Sequence, residues 1–181
     1  GLSRLAIEEL ENFRLASYTE KSQRYITLKN DYNIPEEIID PLDIQKFKEI
    51  ISLQNDYYHT LNSKLKDYIF EIYKEEIKDK NAKVYEGLAK EDARYITSLS
   101  TQGQLGMTVN ARVLEQMIKR FLESEILEVQ NLGKEIYNQI KPVVPSLIRY
   151  TEPNKSLNFN YLQDLFENES IENIKEHTEK E

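Results

Sequence analysis

Apolar side chains recur at alternating steps of three and four along Ile44, Phe47, Ile51, Tyr58, Leu61, Leu65, Tyr68 and Ile72, with Gln54 as the one polar member of the stripe. That spacing predicts a long helix over about 43–80, opened by Asp40-Pro41. Such a stripe serves either a face packed on neighbouring helices of the same domain or a coiled-coil seam for a partner. Upstream, Leu5, Leu10, Phe13 and the pair at 16–17 are spaced for an amphipathic helix over 3–22, with Glu8, Glu9 and Glu11 between them. Arg24-Tyr25-Ile26-Thr27-Leu28 alternates and is rich in β-formers, which predicts a strand. Asn30-Asp31 and Ile34-Pro35 then mark loop chemistry.

Beyond the long helix, the pattern predicts a helix after Gly87 at 90–99 and a strand at 107–110, flanked by Gly103 and Gly106. Helices over 112–122 and 124–141 follow, interrupted near Pro142 and Pro145, and an amphipathic helix at 156–167 precedes a charged tail. The expected fold class is therefore α+β, with long helices flanking a small antiparallel sheet in which 24–34 pairs with 103–110. No internal repeat divides the chain. The five glycines form neither a phosphate-cradling loop nor a dinucleotide-binding turn.

Composition narrows the chemistry. The 181 residues suffice for one domain with a real core; 39% are apolar and 31% charged, the balance of a globular protein. No run approaches a membrane span, and the opening residues carry no basic segment followed by an apolar one, so a cytoplasmic location is expected. The absence of cysteine removes disulfides, thiolate metal sites and cysteine nucleophiles. With only His59 and His177, no His-based metal site or Ser-His-Asp triad is expected.

The net charge of −8 argues against general nucleic-acid binding. Against that background the arginines stand out. Only seven exist, and five of them (14, 24, 94, 112 and 120) fall within two segments. The planar guanidinium fork suits bidentate phosphate or carboxylate recognition, so this gathering points to an anionic small ligand or to buried ion pairs.

The segment from Arg14 to Arg24 carries two readings on its own residues. Ser22 and Arg24 share one side of an extended backbone and could embrace a phosphate, with Glu20 accepting from a ribose or base. Equally, Ser17-Tyr18-Thr19-Glu20 fits a capping box, and Glu20 with Arg24 an i,i+4 pair.

The run Arg14-Leu15-Ala16-Ser17-Tyr18-Thr19-Glu20-Lys21-Ser22-Gln23-Arg24-Tyr25 resembles the hallmark segment of flavin-dependent thymidylate synthases. That hallmark is Arg-His-Arg, seven residues, Ser, then a small or polar residue and Arg-Tyr. Glu91-Asp92-Ala93-Arg94 and Thr108-Val109-Asn110-Ala111-Arg112 follow in the family's order. The resemblance covers about residues 3–150. It implies that FAD, reduced by NADPH, delivers hydride while methylene-tetrahydrofolate donates the carbon that turns dUMP into dTMP. It further implies a homo-oligomer, a tetramer with shared active sites, or a partner chain that supplies the family's N-terminal part.

On this resemblance Glu20, Ser22, Gln23, Arg24 and Arg94 hold dUMP, and Arg14, Asn110, Arg112 and Gln116 hold FAD. No catalytic nucleophile and no metal ligand is implied. The family-like domain is expected to span 1–153, without the family's N-terminal part, followed by a helix and tail at 154–181. The chain also departs from the pattern. Asn12 and Phe13 stand where the family has Arg-His, Phe121 where it has Arg, and Glu125 where it has His. These departures keep a non-catalytic structural or assembly subunit open beside the enzyme, and an unrelated helical interaction module is the third reading.

Overall fold

The structure, a computed structural model, describes residues 1–22 and 27–152. Its elements are β1 (Leu2–Ser3), α1 (Arg4–Glu11), β2 (Ala16–Glu20), α2 (Pro41–Ile72) and α3 (Ala82–Ala93), followed by a 3-10 turn at Arg94–Ile96, β3 (Gln102–Gly103), β4 (Leu105–Val109), α4 (Ala111–Leu122) and α5 (Leu127–Ile140). The strands form two small antiparallel sheets, β1 with β3 and β2 with β4. The α+β expectation is met: β4 packs on the core built by α1, α4 and α5, and α2 pairs with α3.

The main departure lies at the start. Instead of one helix over 3–22, α1 stops after eight residues and the chain turns into β2. Ser3 caps α1 by accepting from the Ala6 N–H at 3.1 Å, a standard N-terminal solution. The apolar spacing that suggested a continuous helix is met differently. Leu10 and Phe13 close α1 onto the core, while Ala16, Tyr18 and Glu20 turn inward from a strand and Ser17 and Thr19 outward.

β2 takes the place in the sheet that sequence reading gave to 24–34. Ala16 pairs with Val109, Tyr18 with Met107 and Glu20 with Leu105. Among the described residues of the later segment, Tyr32 bridges to Thr101, the Asn33 N–H donates to the Ser100 carbonyl at 2.9 Å and the Asp31 carbonyl accepts from the Gln102 N–H at 2.9 Å. Of the strand expected at 24–28, residues 24–26 lie outside the described residues, while Thr27 and Leu28 are not in a strand.

α2 starts where Asp40-Pro41 predicts it. The Asp40 carboxylate accepts from the Leu42 and Asp43 N–H groups, and Pro41 occupies the first turn. It ends at Ile72, short of 80, because a side-chain turn folds the chain back. Asn81 accepts from the Lys78 N–H at 2.6 Å and donates to the Glu76 carbonyl at 3.0 Å, while the Tyr73 and Tyr85 rings meet at 5.3 Å. α3 consequently begins at Ala82, contains Gly87 rather than following it, and gives way to the 3-10 turn before 99.

The helices at 112–122 and 124–141 appear as α4 and α5. The predicted 156–167 helix lies outside the described residues. The larger core gathers Ala6, Leu10, Leu114, Met117, Ile118, Phe121, Val129 and Ile148. A smaller one joins Leu28, Tyr58 and Ala93 on the α2–α3 side.

Candidate functional site

Strand register assembles the first part of the site. Because Ala16 opposes Val109, the turn holding Arg14 and the start of α4 at Asn110 meet at the same end of the β2–β4 pair. They flank an open groove of about 480 Å³ lined by residues 14–17 and 108–110. Asn110 is the N-cap of α4, its Oδ1 accepting from the Val113 N–H at 3.0 Å, so its amide donors are left for a ligand. Arg112 and Gln116 sit one turn apart and exposed on α4. All four residues expected at the cofactor thus belong to the groove or to the helix that opens from it.

The substrate set divides. Glu20 ends β2, half-buried, with its carboxylate ion-paired to Arg4. Ser22 follows two residues on, partly exposed. Gln23 and Arg24 lie outside the described residues. Arg94 stands elsewhere, on the turn after α3, with Nη2 4.0 Å from Glu91 Oε1; α2 and α3 pack on that turn, and Arg94 is not among the residues that line the groove. Within one chain, Arg94 is therefore not part of the groove.

The departures from the family pattern meet in space. Phe13 and Phe121 pack edge to face at 5.9 Å and 82°, and Phe121 is fully buried. Such a pair adds roughly 0.5–1.5 kcal/mol beyond its buried area. The Arg120 guanidinium lies 5.7 Å over the Phe13 ring, with Nη2 3.6 Å from Glu9 Oε2. Arg120 therefore follows Arg112 and Gln116 along the exposed side of α4 but is held by Glu9 and Phe13. Glu125 is exposed in the α4–α5 connection.

Sequence reasoning passed over Arg4. Its guanidinium is the hub of an acidic cluster: Nη1 donates to Glu20, Nε and Nη2 donate to Glu8 Oε1 at 2.9 and 2.6 Å, and Nη2 lies 3.4 Å from Glu11 Oε2. Burial opposes the charge on Arg4, yet its hydrogen bonds to Glu20 and Glu8 outweigh this and its pKa stands above the ordinary guanidinium value. Burial pushes the Glu11 carboxyl up, partly offset by Arg4. The i, i+4, i+7 spacing of Arg4, Glu8 and Glu11 was the available signal.

Comparison with known proteins decides the family. The model of the family described as thymidylate synthase complementing protein matches residues 1–146. The chain belongs to this family. That membership excludes the reading as an unrelated helical module. Among curated relatives, the flavin-dependent thymidylate synthase of Clostridium tetani is 32% identical over 158 residues, covering 85% of this chain and 61% of its own length. That of Saccharolobus solfataricus is 28% identical over 171 residues, covering 94% and 57%. The chain thus spans about three-fifths of the length of these thymidylate synthase relatives. A crystal structure of the UMP/dUMP methylase PolB from Streptomyces cacaoi, bound with 5-Br UMP, superposes at a TM-score of 0.58. At 16% identity over 81% of this chain and 68% of that one, the likeness is one of fold. No described helix is long and apolar enough to cross a membrane, and no described cluster of His, Cys, Asp or Glu could hold a metal ion.

Proposed function

We propose that this chain takes part in cytoplasmic FAD-dependent methylation of dUMP to dTMP, with methylene-tetrahydrofolate as carbon donor and NADPH as reductant. The observation that carries the reading is the juxtaposition of Arg14 and Asn110 across the β2–β4 register, which joins two motifs far apart in sequence at one groove. The donors there suit the phosphates of FAD: guanidinium groups at Arg14 and Arg112, and the amides of Asn110 and Gln116. Reduced flavin, when bound, supplies the hydride.

Glu20, Ser22, Gln23 and Arg24 hold dUMP on this reading. Arg94 serves the dUMP of a neighbouring copy, because its own chain keeps it on the α2–α3 side, and the assembly is a homotetramer. Residues 1–153 form the family-like domain and 154–181 an appended segment.

The Phe13–Phe121 contact favours a second reading, a member that keeps fold and assembly but not catalysis, because it puts an aromatic pair where the family pattern has His and Arg. Titration of the purified protein with FAD, followed at 450 nm and by dTMP formation with dUMP, methylene-tetrahydrofolate and NADPH present, separates the two. Losing two charge-assisted contacts at about 1.5–3 kcal/mol each moves a micromolar site to the high-micromolar or millimolar range. The expected result is dTMP formation only at such FAD concentrations. Product with low-micromolar FAD would show that the aromatic pair costs nothing. Bound dUMP without product at any FAD concentration would establish the non-catalytic reading.

A further inference from the structure

Two inward side chains of β2 fasten it to α1. At one end the Tyr18 hydroxyl lies 2.6 Å from the Leu10 carbonyl and 3.0 Å from that of Phe13, at the C-terminal end of α1. At the other, the Glu20 carboxylate meets Arg4 in the first turn of α1. Arg4 is itself held in place: its backbone N–H donates to the Thr101 carbonyl at 2.9 Å, and Glu8 grips two of its guanidinium nitrogens. The Arg4 contact engages Oε1 of Glu20, and the Glu20 side chain keeps about a quarter of its surface exposed.

We propose that Arg4 is a positioning residue for the nucleotide site: it fixes the Glu20 carboxylate by one oxygen so that the other faces a bound nucleoside monophosphate in a set direction. The proposal rests on the assignment of Glu20 to dUMP. The cluster explains why one cation serves three carboxylates. Glu8 orients the guanidinium, Glu11 adds to the negative field behind it, and Glu20 is the member at the strand end that leads to Ser22. A carboxylate held at one oxygen loses less freedom on accepting from a ligand, so its contact is worth more.

The test is a double-mutant cycle on dUMP affinity, measured by calorimetry on wild type, Arg4→Gln, Glu20→Gln and the double variant, with Arg4→Lys alongside. Arg4→Gln is expected to weaken dUMP binding on the order of tenfold, and to change it little once Glu20 is already Gln. Arg4→Lys, which keeps the charge but not the fork, should recover part of the loss. Equal weakening by Arg4→Gln in both backgrounds would reduce Arg4 to a fold-holding role and overturn the proposal. A Glu20→Gln loss with no Arg4→Gln loss would overturn it while leaving the assignment of Glu20 intact. Unchanged affinity in Glu20→Gln would remove that assignment and the proposal with it. Should Arg4→Gln fail to fold, the Arg4→Lys comparison in the two Glu20 backgrounds decides the same question.

Discussion

The α4–α5 side and the α2–α3 side of the molecule use apolar residues in opposite ways. On α4 the division is sharp: Val113, Leu114, Met117, Ile118 and Phe121 are all buried, and Arg112, Gln116 and Arg120 are exposed. On α2 only Ile51, Asn55, Tyr58 and Ile69 are buried along 32 residues. Ile50, Leu53, Tyr57, Tyr68 and Ile72 each leave more than half their surface in water. Their spacing, with Tyr57 and Tyr68 three turns apart, sets them along one face of the helix. One helix is finished by its own chain, while the other keeps a second apolar face that nothing in the described chain covers. Contiguous exposed apolar faces are characteristic of interaction surfaces, and this is the face on which the proposed assembly can be tested.

That contrast can be broken most severely on the α4 side. Phe121→Ala removes a fully buried ring that packs on Phe13, and should cost about 3–5 kcal/mol in a denaturant titration. Tyr68→Ala on α2, measured below the association range, should stay within about 0.5 kcal/mol. If the two losses were alike, the halves would not differ as described.

Gly133 offers a finer probe of the same packing. An added Cβ would lie 2.7 Å from the Phe121 Cβ and 3.4 Å from the Leu122 N. Gly133→Ala should therefore destabilise by about 1–3 kcal/mol despite the better helix propensity of Ala; a gain in stability would mean that α4 and α5 separate readily.

On the α2 side the expected change is in mass. Light scattering at micromolar concentration should give an oligomer, and Leu53→Glu with Tyr57→Glu should lower the mass while the circular-dichroism spectrum is retained. A wild-type monomer would show that the exposed face has no copy to meet.

The smallest effect concerns Glu115, whose Oε1 accepts from the N–H groups of Tyr150 and Arg149 and so ties the segment after α5 back to α4. The Tyr150 N–H and then that of Arg149 hold its carboxyl below the ordinary glutamate value. A carboxyl lowered in the folded state contributes stability above its unfolded pKa, near 4.3, and loses that contribution as pH falls through the folded value. Glu115→Gln should thus lower the melting temperature slightly at neutral pH and cease to differ from wild type at strongly acidic pH.

How far the residues announced this arrangement varies with the physics of each part. The heptad stripe and Asp40-Pro41 identify α2 and its start, because periodicity and capping are local. Its end was not legible: the turn is closed by the Asn81 side chain, with no Gly or Pro to mark it. β2 was missed because Leu10, Phe13 and the pair at 16–17 satisfy a helical period while Ser17-Tyr18-Thr19 favours a strand, and pairing with β4, remote in sequence, decided between them. Arg14, Asn110, Arg112 and Gln116 could be named from motif resemblance. That Arg14 and Asn110 share a groove depends on register, which no single segment encodes. Arg94 could be named too, but not its separation from the groove. Arg4 went unnoticed because its partner Glu20 comes from another element.

Tyr18 also decides where an insertion can be borne. A residue added in the turn at 13–15 leaves Tyr18 on the end of α1 and Ala16 opposite Val109, and only lengthens the turn. A residue added between Ser17 and Tyr18 slips everything before it by one place in the strand, so that Ser17 turns onto the core and Ala16 out to water. Single insertions scanned from 13 to 19 should therefore give folded protein before Ala16 and destabilised protein within β2, as read by circular dichroism.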